Sequence, residues 1–128
     1  MQNLIKILFF GLLLSACNPL PNPGKDLYVE KCQNCHGVDG EGLKGLYPNL
    51  VNADYFQKNR EKLACIIKYG VNEEMEVNGT KYQGEMPANA MLTEIEITNL
   101  LNFINQEFKN GQEPFSMQEI SKNLVNCK

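Results

Sequence analysis

The chain carries a single histidine, His36, among 128 residues. One imidazole excludes every site that needs two from the same chain, including bis-histidine haem and two-cysteine, two-histidine zinc. Arg60 is the only arginine, lysine and arginine form no cluster, and the formal net charge is −3, so the basic footprint of a nucleic-acid binder is missing. Beyond residue 24 there is no internal repeat or low-complexity tract, and alternating strand patterns with hairpin turns are absent. The length leaves room for one ordinary domain, and a hydrophobic share of 43% is too high for a wholly disordered chain.

What is present begins with an address. Lys6 precedes the apolar run from Ile7 to Leu14, which is too short to span a bilayer stably and has the length of a secretory h-region. Leu14-Ser15-Ala16-Cys17 then resembles the lipobox of bacterial lipoproteins. That resemblance implies cleavage before Cys17 and lipidation of its thiol and new amine, which would hold the protein on a membrane without a transmembrane helix. The competing reading is an ordinary secretory signal that leaves Cys17 as a thiol. Asn18 behind the cysteine, where an aspartate does not stand, mildly favours outer-membrane sorting over the inner leaflet, with the cell surface as a further destination. Residues 17–24 hold three prolines and read as an extended spacer. The expected organisation is a signal peptide over 1–16, a lipidated tether over 17–24, a folded domain over 25–110 and a helical extension over 111–128.

The folded part reads as all-α. Thr93-Glu94-Ile95-Glu96 has the pattern of a capping box with Leu92 and Ile97 as its staple, and Ile97, Leu100, Leu101, Ile104 and Phe108 then recur at helical spacing up to Asn110-Gly111. Leu63, Ile66 and Ile67 mark a shorter helix from Arg60 to Tyr69, stopped at Gly70, and Asp26 to Cys35 reads as another. Ser116 and Glu119 repeat the capping signal before a tail helix from Met117 to Asn126, with Met117, Ile120, Leu124 and Cys127 along its packing face. Long connections remain over Gly37–Asp54 and Gly70–Met91, and loops of that length need something inside to organise them.

The chemistry lies in Cys32-Gln33-Asn34-Cys35-His36. At positions i, i+3 and i+4 of a helix, two thiols and an imidazole share one side. This is the attachment signature of c-type haem, with thioethers through Cys32 and Cys35 and His36 as proximal iron ligand. A zinc ribbon would need a second closely spaced pair, whereas Cys65 and Cys127 stand alone. A thioredoxin-like pair would need a βαβ setting, and a plain disulfide is the remaining alternative.

From about Lys25 to Asn110 the chain resembles the small monohaem class I cytochromes c. The resemblance rests on Cys32-Gln33-Asn34-Cys35-His36-Gly37, then Gly45-Leu46-Tyr47-Pro48-Asn49-Leu50, then Gly84-Glu85-Met86-Pro87 ahead of the final amphipathic helix. It implies four to five helices wrapped around one covalently bound haem c, with the first and last core helices crossing. Without a second histidine, the sixth iron ligand is expected to be a thioether, from Met75, Met86, Met91 or Met117. Pro87 biases Met86 toward extended backbone, where the resemblance also puts the axial methionine. Met75 sits among glutamates, and Met91 reads as gap-filling at a helix start. The resemblance further implies that the Pro48 carbonyl accepts the Nδ1 hydrogen of His36. Tyr47 and Tyr82 are candidates for a propionate or the crevice wall, with aromatic core packing as their other role.

Lipid and thioethers account for three cysteines, and the even remainder, Cys65 and Cys127, suggests a disulfide in an oxidising compartment that clips the tail to the body. Two unpaired buried thiols, or pairing with a cysteine of another chain, are the alternatives. The function implied is outer-sphere electron transfer by a membrane-anchored monohaem carrier on the periplasmic side, passing single electrons between respiratory or dehydrogenase proteins. No independent catalytic constellation, small-molecule substrate or nucleic-acid partner is expected. The alternative is a gas- or peroxide-reactive haem sensor or enzyme with a labile distal ligand.

Overall fold

The computed structural model describes residues 20–127; the signal-peptide and lipidation readings at residues 1–16 and Cys17, and Asn18 with them, lie outside that range. The described chain forms six α-helices, more than the four or five expected, with one short hairpin. They are α1 (Pro23–Lys31), α2 (Gln33–His36), α3 (Asp54–Lys58), α4 (Leu63–Tyr69), the strands β1 (Met75–Val77) and β2 (Thr80–Tyr82), α5 (Glu94–Glu107) and α6 (Met117–Val125), with a 3₁₀ turn over Arg60–Lys62 ahead of α4.

Helix α1 begins inside the stretch expected to be spacer. Pro23 occupies the first turn, where its missing N–H costs nothing, and the Asn22 side chain accepts from the Lys25 N–H at 3.1 Å. The helix also ends sooner than expected: Cys32, at φ −120° and ψ −36°, separates it from α2. The His36 N–H still bonds the Cys32 carbonyl at 3.0 Å, so the i to i+4 geometry of the cysteine–histidine run survives the break.

Helix α1 crosses α5. Gly24 lies so close to α5 that a Cβ there would collide with the Asn99 carbonyl oxygen and the Phe103 Cβ. Behind that contact Tyr28 is buried, its ring 5.5 Å from Phe103 and 5.1 Å from Phe108, and its hydroxyl donates to the Gly37 carbonyl at 2.7 Å. Burial raises the Tyr28 phenol, which therefore stays protonated as a donor. On α5, Ile97, Leu100, Leu101 and Ile104 face the core, and Thr93 with Glu96 makes the reciprocal capping box. The helix stops at Glu107, short of Asn110-Gly111, with Lys109 in left-handed backbone at φ 56°.

The Gly70–Met91 stretch, expected as a long connection without strands, contains a hairpin, which adds a two-stranded sheet to the all-α reading. Met75, Glu76 and Val77 pair antiparallel with Tyr82, Lys81 and Thr80 around an Asn78-Gly79 turn, both turn residues having positive φ. The Asn78 and Asp54 side chains each accept the other's backbone N–H, at 3.0 and 2.7 Å, fastening the turn to the start of α3. The Asp54 carboxyl is lowered from its ordinary value, chiefly because the Asn78 backbone N–H bonds its anion.

The tail is held at several points. Asn102 and Asn105 on α5 each exchange two hydrogen bonds with extended backbone, at Phe115 and Gln112 respectively. In α6 the Ser116 hydroxyl caps Glu119, but the Glu119 carboxylate does not close the expected box; it turns to Arg60. Ile120 is buried and Leu124 half-buried, whereas Met117 is exposed, against its expected place on the packing face. Cys65 and Cys127 are joined as a disulfide.

Candidate functional site

A cleft opens between α2, the loop of residues 46–50, α4, the hairpin and the segment around Met86. Its walls are mostly apolar, from Phe56, Leu63, Ile67, Val77, Leu101 and Ile104. Cys32, Cys35, His36, Tyr47, Pro48, Tyr82 and Met86, every cofactor-binding residue expected from the sequence, line this one cleft.

Its polar end is built by α2. Cys32 and His36 are buried and Cys35 is half-buried. His36 Nδ1 lies 3.0 Å from the Pro48 carbonyl oxygen. A carbonyl only accepts, so Nδ1 must carry the hydrogen, which leaves the Nε2 lone pair as the available metal donor. Burial lowers the His36 pKa, with the Pro48 bond opposing it, so the ring is held as the neutral form a metal needs. Pro48 is placed by its own loop, where Leu43 and Tyr47 exchange backbone bonds at 2.9 and 2.7 Å and Leu50 N–H bonds the Gly40 carbonyl at 2.7 Å.

The Cys32 thiol is pushed up to about 11, first by burial and then by neighbouring Cys35. A nucleophilic redox pair needs the opposite shift, and the described residues form no βαβ unit, so the thioredoxin-like alternative loses its support. The zinc-ribbon alternative loses its second pair, because Cys65 and Cys127 are bonded to each other.

Met86 is half-buried in the segment between the hairpin and α5. An isolated bridge holds it: the Val71 N–H bonds the Met86 carbonyl at 3.0 Å and the Met86 N–H bonds the Val71 carbonyl at 2.8 Å. Tyr82 is buried on β2 and Tyr47 is half-buried. Among the other methionines, Met117 is exposed and Met91 is 92% exposed, so Met91 fills no gap at the helix start. Met75 differs from expectation in the other direction. Its glutamate neighbours Glu74 and Glu76 alternate away while Met75 itself is half-buried in the cleft wall, an orientation that strand periodicity would have given had the hairpin been recognised. Val71 carried no sequence signal at all.

Two soft thiols, one neutral imidazole, one thioether and an apolar cleft are a donor set suited to a covalently held metal macrocycle. Comparison with known proteins agrees. The family pattern described as Cytochrome c matches residues 22–107. Two cytochromes c-552 of Thermus thermophilus are similar to this chain: one is 32% identical over 91% of the chain and 80% of its own length. The other is 33% identical over 77% of the chain and 82% of its own length. With the helices closing around the cysteine–histidine cleft and the family match running across all of them but the tail helix, the chain belongs to the cytochrome c family as a class I monohaem member with one covalently attached haem c, and its function is haem-based electron transfer.

Proposed function

We propose that the protein is a lipid-anchored carrier that passes single electrons between redox proteins outside the cytoplasm. The observation that carries the site assignment is the gathering of Cys32, Cys35, His36 and Met86 in one apolar cleft. Cys32 and Cys35 hold the macrocycle by thioether bonds, His36 is the proximal ligand, and Met86 supplies the axial thioether. Pro48 fixes the His36 tautomer and ring orientation. Tyr47 and Tyr82 line the crevice and exclude water. Haem supplies one-electron iron chemistry, and ligation by one imidazole and one thioether raises its potential. The protein's part is to keep both ligands in place in both oxidation states, so that no substrate need reach the iron.

The organisation proposed is a cleaved leader over residues 1–16, a lipidated Cys17, a tether that ends where α1 begins, one haem domain and the clipped tail. Among the described residues no helix is long and apolar enough to cross a membrane. Attachment through Cys17 gives the carrier a membrane-bound position on the periplasmic side, with the outer membrane favoured by Asn18. Its electron partners are proteins of a respiratory or dehydrogenase chain.

The optical spectrum of the purified ferric protein tests the ligand assignment. The weak long-wavelength sulfur-to-iron charge-transfer band is expected in wild type and absent in Met86→Ala; a band that survives in the variant would refute Met86. Labelling with radioactive palmitate in a bacterial host tests the anchor: wild type takes up label and Cys17→Ala does not, and an unlabelled wild type refutes lipidation.

A further inference from the structure

We propose that Gly70 is a positioning residue for the axial thioether, acting through the paired backbone bonds that join Val71 to Met86. This rests on the assignment of Met86 made above. Gly70 ends α4 with φ 75°, left-handed backbone at which L side chains are strained. Its second property is specific to the Met86 segment. A Cβ built on Gly70 would collide with the Met86 carbonyl oxygen, and would lie 2.9 Å from the Ala88 backbone nitrogen and 3.1 Å from the Pro87 carbonyl carbon. All three are backbone atoms, so no side-chain rotation can relieve the clash.

The collision falls on a carbonyl already in use. That oxygen accepts the Val71 N–H at 3.0 Å, and the Met86 N–H returns a bond to the Val71 carbonyl at 2.8 Å. Just beyond, the Asn89 N–H bonds the Ile67 carbonyl at 3.0 Å, so the segment is tied on one side of Pro87 to Val71, next after Gly70, and on the other to α4 itself. Helix α4 in turn packs Leu63, Ala64 and Ile67 into the core. The bare Gly70 backbone thus lets the methionine segment lie directly on the end of a rigid helix, which fixes the Met86 Cα and the reach of its side chain. Pushing the segment outward by the width of a methyl group moves the thioether away from the cleft while leaving the His36 side untouched.

The test compares ferric Gly70→Ala with Gly111→Ala. Gly111 also has a positive φ, 67°, with open space around its Cβ, so an alanine there meets positive-φ strain without the clash. Gly70→Ala is expected to lose at least half of the charge-transfer band and to bind exogenous imidazole at least tenfold more tightly than wild type; Gly111→Ala keeps both wild-type values. Equal band intensity and imidazole affinity in wild type and Gly70→Ala, with only thermal stability reduced, would make Gly70 a merely structural residue and overturn the proposal. A second measurement needs no folded variant: hydrogen exchange of wild type with and without saturating imidazole. The Val71 and Met86 amides are expected to exchange at least tenfold faster when imidazole takes the thioether's place; unchanged protection at both overturns the coupling. A wild-type protein without the band overturns the Met86 assignment and this inference together, whereas a band present in wild type and intact in Gly70→Ala overturns this inference alone.

Discussion

Arg60 holds Glu119 by both carboxylate oxygens, Nε to Oε1 at 2.6 Å and Nη2 to Oε2 at 2.8 Å, while its guanidinium carbon sits 3.8 Å from the centre of the Phe115 ring. The same side chain donates to the Glu113 and Pro114 carbonyls at 2.7 and 3.3 Å. The chain's one arginine therefore reads the turn into the tail helix with all three nitrogens.

This ion pair makes the tail sensitive to pH. The Arg60 hydrogen bond, as the largest cause, lowers the Glu119 pKa below the ordinary glutamate value of 4.5. A carboxylate depressed in the folded state contributes stability that is present above the unfolded value and lost as pH falls through the folded one. Wild type is expected to exceed Glu119→Gln by about 1 kcal/mol at pH 7, with the difference shrinking as pH falls below about 4.5. Denaturant unfolding of both proteins from pH 7 to pH 3 checks this.

The disulfide closes a sequence separation of 62 residues. In the chain-entropy description a loop of that size gives about 4 kcal/mol. Arg60, Asn102 and Asn105 hold the tail independently, so the reduced protein is expected to stay folded, with stability lower by up to about 4 kcal/mol. Unfolding of wild type and Cys127→Ser, with and without reductant, measures it; the variant should be insensitive to reductant.

Asn110 is 1% exposed and serves three partners: its Oδ1 accepts the buried Ala53 N–H at 2.8 Å, and its Nδ2 donates to the Leu50 and Ile104 carbonyls at 3.0 and 3.2 Å. Asn110→Ala strands these groups and is expected to cost about 2–4 kcal/mol. Because Leu50 and Ala53 adjoin the Pro48 loop, a chemical shift change at His36 should accompany the loss, read by proton NMR.

Lys109 takes the left-handed position after α5 that glycine commonly fills. Relief of that conformation in Lys109→Gly is expected to raise stability by up to about 1 kcal/mol, with the optical spectrum unchanged. Thermal unfolding decides it.

The helices with amphipathic repeats and caps, α5, α6 and α4, were legible because burial and propensity point the same way in each. The cysteine–histidine run could be read from its spacing, whereas Pro48 entered only through the family resemblance and Met86 through the resemblance together with Pro87; the cleft collects all of them. The hairpin was hidden because its strands are three residues long, although Asn78-Gly79 was a turn signal standing in plain view. Helix α3 spans five residues, too few for a periodicity. Pro23 looked like spacer because a proline in a tether and a proline at a first helical turn are told apart only by the residues C-terminal to them. Glu119 shows a different limit: two donors, the Ser116 N–H and the Arg60 guanidinium, compete for one carboxylate, and only the fold brings Arg60 within reach. The Val71–Met86 bridge joins residues with no shared pattern, so nothing local announces it.

Carbon monoxide binding to the ferrous protein at neutral pH tests the central claim most directly. A carrier whose iron is closed by His36 and Met86 shows no spectral change under saturating gas, whereas rapid formation of a carbon monoxide complex would contradict the account and mark an open or labile distal site.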